Sequence, residues 1–173
     1  MSEYRSNNAE MAANQDNESI AQKHLDAFWK TLNVTVDRDG ACKNFDALYR
    51  YGGVQFTVEE KFRRIESVRG DVILEIVQAL ESMGWGWFTK TTAERLAYVL
   101  CDLEWRPVKL YSFRFGELRR WYLTEYLPRH RMGTYVCSTY GYGVTINLSL
   151  PLKEIPRQFY KELSCAIDED IPF

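Results

Sequence analysis

Apolar and polar side chains alternate most cleanly over residues 54–62. Val54, Phe56 and Val58 fall on one side of an extended chain, and Gln55, Thr57, Glu59 and Lys61 fall on the other. Gly52-Gly53 separates this run from another at residues 45–51, and Gly-Gly between two such runs signals a β-hairpin. Upstream, Ala21, Leu25, Phe28, Trp29 and Leu32 recur at helical spacing, so a helix is expected over residues 18–32 with Asn17 as its cap. Val34 to Val36 reads as a short first strand, closed by a turn at Asp37-Arg38-Asp39-Gly40. That turn resembles the opening of a calcium loop but has no Glu at the closing position.

Further along, residues 63–69 read as a polar, basic loop. Residues 72–80 fit a helix through Ile73, Ile76, Val77 and Leu80, or a buried strand through their β-branched run. Gly84 and Gly86, set between aromatics, predict a mobile loop over residues 83–90. Thr92 is placed to cap a short helical turn, with strands following at 96–100 and 108–113. A second helix is expected over 117–127, stopped by Pro128. Residues 144–150 alternate as a strand ended by Pro151, and residues 156–165 read as helical. Residues 1–17 are rich in Asn, Ser, Gln, Ala and Glu with almost no large apolar side chain, the signature of a disordered tail. The order of elements predicts an α/β domain over residues 18–173, with a mixed central β-sheet flanked by helices.

Length and composition narrow the class. With 173 residues, 46% of them hydrophobic and 14% aromatic, the chain can bury one full core. No apolar run approaches the roughly 20 residues that span a bilayer, and the N-terminus is polar, so a cytoplasmic protein is expected. Cys42, Cys101, Cys137 and Cys165 are scattered without a Cys-x-x-Cys pair, and neither His24 nor His130 sits at ligand spacing from a cysteine. Zinc is therefore poorly supported, and buried thiols are a better account than disulfides. Nucleotide-binding glycine loops and serine or cysteine hydrolase arrangements are also missing.

Candidate chemistry gathers on the polar side of the hairpin. The turn folds Asp46 back toward Glu59 and Lys61. Two carboxylates and an ammonium on one polar face suit a divalent cation and a scissile phosphate. Of the eight lysines, only Lys61 has an acid two residues before it. The same pattern also fits an exposed strand face with a surface ion pair, which would contribute little energy. A bulge would exchange the roles of Glu59 and Glu60. Gln55 and Thr57 share the polar face, and Lys90 and Glu94 offer further polar contacts.

Asp46, a spacer, then Glu59-Glu60-Lys61 on adjacent strands resembles the core of the PD-(D/E)XK nuclease superfamily. The likeness extends over residues 18–102. It takes in the acid Glu18 on a preceding helix, the run Gly70 to Ile76 with Glu75, and the segment Gly84 to Tyr98. That segment is similar to the Gly-rich, Thr-Ala-Asp-like stretch of phage and mobile-element members. Phe45 stands where the superfamily motif has a Pro, one that is often absent among its members. The resemblance favours a strand at 71–77 and implies a restriction-endonuclease-like core. It also implies Mg2+ (or Mn2+) held by Asp46, Glu59, the Glu60 carbonyl and Glu18, with Lys61 acting on water or phosphate. Glu18 fits equally well as a favourable charge in a helix first turn. Glu75 fits either the same acidic cluster or the solvent face of its strand.

Nucleic acid is the implied partner, DNA by the resemblance alone. From Trp105 to Arg131, seven Lys/Arg stand against two acids, a local +5 that leaves −7 for the rest of the chain. Arg106, Lys109, Arg114, Arg119 and Arg120, with Arg63, Arg64 and Arg69, are the candidate phosphate contacts. The interleaved aromatics could stack on bases or form the core side of a helix. Cutting both strands would call for a homodimer. The competing expectation is a non-catalytic module that binds nucleic acid or protein on the same scaffold.

Overall fold

The computed structural model describes residues 3–39, 44–67, 70–79, 84–130, 134–140 and 143–165. Arg69, Arg131, Cys42 and Gly40, named above, lie outside them. The chain opens with α1 (Glu3–Thr31), β1 (Thr35–Asp37) and the hairpin of β2 (Ala47–Tyr51) and β3 (Val54–Arg64). After β4 (Asp71–Ala79), β5 (Gly84–Trp85) and the single turn α2 (Trp87–Lys90) come β6 (Arg95–Cys101) and β7 (Pro107–Arg114). Then follow α3 (Phe115–Trp121), a π-helical stretch (Tyr122–Tyr126), α4 (Leu127–Arg129), β8 (Thr134–Tyr140), β9 (Gly143–Pro151) and β10 (Tyr160–Ser164).

The molecule is mixed α/β, with a largely antiparallel mixed sheet flanked by helices. That sheet has six strands in the order β1-β2-β3-β6-β7-β10, and β3 with β6 is its parallel pair. A second, antiparallel sheet, β5-β4-β9-β8, was not expected from the sequence. Alternation along β6 explains how one strand serves two layers. Ala97 and Val99 pack with Ala21, Leu25, Phe28 and Trp29 of α1, whereas Leu96 and Tyr98 join Val72, Leu74, Leu148 and Leu150 of the second sheet. Small side chains face the helix and allow its close approach. Full burial of Leu25 there contributes about 1.5–3 kcal/mol.

The hairpin forms as its sequence dictates. Gly52 and Gly53 take φ of 56° and 80°, and Tyr51 pairs with Val54 across the turn. β3 continues to Arg64, into the stretch expected to be a loop, and Ile65–Ser67 follows as a 3-10 turn.

Five further expectations are corrected. The helix expected from residue 18 begins at Glu3, so Asn17 lies inside it. Ala9, Glu10, Met11, Ala12, Ala13 and Gln15 are good or tolerant helix formers, and a helix nucleated by the packed stretch propagates through them. Within the loop expected at 83–90, the described residues 84–90 are held in place, because Trp87 and Phe88 of α2 are buried in the core. Thr92 caps no helix and instead donates its N–H to the carbonyl of Asn44. Residues 156–165 form a 3-10 turn and strand β10, which pairs antiparallel with the edge of β7. Pro128 does not stop the second helix at once. The helix widens to π geometry before it and ends at Arg129, which relieves the clash of the ring with the preceding turn.

Gly86 has a steric requirement of its own. A Cβ there would meet the Glu75 carbonyl oxygen at 2.3 Å, and the Gly86 N–H already donates to Ile76 O at 2.8 Å. Backbone is in the way, so no side-chain rotation relieves the clash. Gly86→Ala should lower stability by about 1–3 kcal/mol, read as a lower urea midpoint; an unchanged midpoint would contradict the packing.

Candidate active site

β2 ends its pairing with β3 at Ala47↔Val58, leaving the next outward N–H of β3 without a strand partner. Asp46 fills that place. Its N–H donates to Val58 O at 2.9 Å, and its Oδ2 accepts the Glu60 N–H at 2.8 Å. The carboxylate is thereby fixed beside Glu59 and Lys61. Lys61 Nζ lies 2.7 Å from Glu59 Oε1 and 3.5 Å from Asp46 Oδ2. It also sits 5.4 Å from the Trp87 ring centroid, a cation–π contact under the body of α2. Exposure grades the three side chains: Glu59 is 7% exposed, Lys61 17% and Asp46 37%. Asp46 is the face open to solvent, and Glu59 is the floor.

Burial pushes the Glu59 carboxyl up, Lys61 opposes the rise and Asp46 adds to it; the neighbouring Thr91 side chain opposes the rise too. For Lys61, burial alone would lower the ammonium, but Asp46, Glu59 and more distantly Glu18 hold it raised. Glu18, on α1, is thus felt at the site without touching it.

Glu60 belongs to the other face of β3. No register shift interrupts the pairing of β3 with β2 or β6, so Glu59 and not Glu60 accompanies Asp46. The Glu60 carboxylate is fully buried and closed off by Arg38 Nη1 and by Tyr49 OH, each at 2.5 Å. Trp29 Nε1 donates to Tyr49 OH at 2.9 Å, and Arg38 also binds Asp26 at 2.7 Å. Only the backbone of Glu60 faces the Asp46 edge, where its carbonyl lies on the same side as its N–H.

The remaining candidates divide. Gln55 accepts from Arg50, and Thr57 exchanges hydrogen bonds with Glu94, which ties β3 to the entry of β6. Glu75 stands against Gly86. Arg63 interacts with Tyr98 between the sheets, and Arg64 stacks on Trp105 at 5.2 Å. Arg106 pairs with Asp102 and Glu104, Lys109 with Glu162, and Arg114 with Glu117. These pairs are exposed and open at little cost. Arg119 turns inward: its Nη2 donates to the carbonyls of Phe88 and Thr91 at 2.8 Å each, capping α2. Arg120 is exposed.

Sequence reasoning missed Thr91, whose hydroxyl donates to Asn44 O at 2.5 Å, and Trp87, which covers Lys61. No spacing links residues 87 or 91 to residue 59, so the sequence carried no signal for them.

Among the described residues, no three His, Cys, Asp or Glu side chains converge as a metal cluster. No helix there is long and apolar enough to cross a membrane. Comparison of the chain with protein-family models, with curated proteins and with solved structures finds no match.

Proposed function

We propose that the protein is a metal-dependent nuclease of PD-(D/E)XK type that hydrolyses phosphodiester bonds, with DNA as the first substrate class to test. One observation carries the reading: the Lys61 ammonium lies within 3.5 Å of both the Asp46 and the Glu59 carboxylates, brought together by the two arms of one hairpin, with Asp46 partly open to solvent. Helix α1, the β2–β3 hairpin and the parallel strand β6 are read as a restriction-endonuclease-like core. The buried free thiols Cys101 and Cys165 suit a reducing, cytoplasmic setting.

The donors suit Mg2+, with Mn2+ as the alternative. They are hard oxygens, and Mg2+ is ordinarily held by one or two carboxylates together with waters and substrate phosphate rather than by a complete protein cage. Asp46 and Glu59 would hold it, with the Glu60 carbonyl at the same edge and Glu18 acting through the field at Lys61. When bound, the ion lowers the pKa of a coordinated water and neutralises charge on the phosphate. Lys61, released from Glu59, points its ammonium at a phosphate oxygen or at the attacking water. Trp87 keeps that ammonium from bulk solvent. Arg63, Arg64 and the exposed cations from Arg106 to Arg120 would serve as backbone contacts, and double-strand cleavage would pair two copies.

The deciding experiment is plasmid nicking with and without Mg2+, using the wild type and Lys61→Ala. Metal-dependent nicking lost in the variant, with DNA binding kept, supports the nuclease. Binding without cleavage in either protein would instead favour the non-catalytic module.

A pH effect follows from Glu59. The group must be ionised to hold a cation, and its pKa lies above the ordinary 4.5 because it is buried. Cleavage should therefore fall on acidification at a pH above the usual carboxylate range. Raising Mg2+ favours the ionised form and should move that acid limb to lower pH. Rate profiles at two Mg2+ concentrations test this; a limb indifferent to Mg2+ would exclude Glu59 as a ligand.

A further inference from the structure

On the face of the six-stranded sheet opposite Glu59 and Lys61, beyond the C-terminal end of α1, lies an open apolar groove of about 350 Å³. Phe56, Val58, Ala97 and Leu163 form its floor, and Trp29 and Leu32 form one wall. The register explains the alignment: Val58 pairs with Arg95 across β3–β6, while Ala97, Ser112 and Lys161 stand side by side across β6, β7 and β10. Each of these residues therefore faces the α1 side of the sheet.

Two cations border this otherwise apolar surface, and among the described residues no carboxylate pairs with either. Arg95 lies 5.9 Å from the Phe56 ring centroid, and among the described residues neither Arg95 nor Lys161 has an ion-pair partner. They stand two strands and two residues apart, about 12 Å on the sheet, with Ser112 on the strand between them. Elsewhere Arg38, Arg50, Lys61, Arg106, Lys109 and Arg114 each hold a carboxylate. An apolar cleft of a few hundred Å³ with a few convergent polar groups is the usual form of a small-molecule site.

Size and charge together define the occupant. At about 30 Å³ per water, the groove holds roughly a dozen water volumes, and thus a ligand of about a dozen non-hydrogen atoms. We propose that this groove binds a small amphipathic anion, a medium-chain or aromatic carboxylate, with its apolar body on Phe56, Val58 and Leu163 and its carboxylate between Arg95 and Lys161. The site is separate from the Asp46 cleft and stands whether or not the protein cleaves nucleic acid.

Decanoate is the probe. Calorimetric titration of the full chain should give one site, with 1-decanol binding at least about tenfold more weakly because it cannot form charge-assisted hydrogen bonds. The double variant Arg95→Gln/Lys161→Gln should lose at least about tenfold in decanoate affinity. Leu32→Glu, at a wall position 41% exposed, should lose a similar factor by repulsion without disturbing the core. Absence of binding, equal affinity for decanol, or an unchanged Kd in the double variant would overturn the proposal. A concentration-dependent dimer in sedimentation that Leu32→Glu dissociates would overturn it in favour of a second copy on this face.

Discussion

Lys61→Ala should reduce Mg2+-dependent nicking by about 10²–10³-fold while leaving DNA affinity within a few-fold of wild type. The magnitude is that of removing one preorganised cationic or hydrogen-bonding group from a site of charge development. The geometry argues that the loss falls on turnover rather than on folding or metal capture. Lys61 Nζ touches both acids, 2.7 Å from Glu59 and 3.5 Å from Asp46, so in the free protein it occupies the place of a cation. Removing it leaves two like charges that repel, and Glu59, already raised by burial, moves further up. A bound metal relieves that repulsion, so Mg2+ should still stabilise the variant against unfolding, although nicking is lost. Lys61→Arg should not rescue, because a planar fork cannot take the place of a compact ammonium beneath Trp87. Cleavage by Lys61→Ala within about threefold of wild type would rule out any direct part for this side chain.

How much of this could be read from the chain depends on how local each cause is. The hairpin was legible because its turn is written in two adjacent glycines and its faces in strict alternation, and these put Asp46 opposite Glu59 without knowledge of anything else. The same parity groups Glu60 with Val58 and suggests a place at the rim, whereas its side chain is fully buried. Its partner Arg38 was not foreseeable: it lies 22 residues away, at the turn after β1, and reaches Glu60 only because α1 and β1 close over the sheet. β10 failed for a related reason. Tyr160 and Leu163 are three residues apart, a spacing that fits a helix, but the free edge of β7 offers pairing from Phe113 to Lys109 and imposes extended backbone. The basic stretch misled in its turn. Its count of cations is real, yet Lys109 meets Glu162, an acid that only the fold brings near, Arg114 is held by its sequence neighbour Glu117, and Arg119 serves the carbonyls of α2.

Arg38→Met should destabilise the protein by about 3–5 kcal/mol near neutral pH, the usual cost of stranding one member of a buried ion pair. Glu60 is fully buried, and after the substitution Tyr49 alone would remain to satisfy its charge. Burial already raises the Glu60 carboxyl, with Arg38 and then Tyr49 opposing that rise, so losing Arg38 lets it climb further. The pH dependence has a definite sign. In the variant, Glu60 has a folded pKa above its unfolded value near 4.5, so its protonated form carries the stability. That contribution is complete below pH 4.5 and is lost as pH rises through the folded pKa. The gap between wild type and variant should therefore widen from pH 5 to pH 8 in urea unfolding. Pairing the change with Glu60→Leu should recover most of the loss, since an apolar pair of similar volume needs no counter-charge. The double variant also tests the site across the strand. The Glu60 side chain is not asked to bind metal, whereas its backbone N–H holds Asp46, so a refolded Arg38→Met/Glu60→Leu protein should keep its Mg2+ response. A single variant that loses under 1 kcal/mol at both pH values, or a double variant no better than the single, would mean that Arg38 does not carry the charge of Glu60.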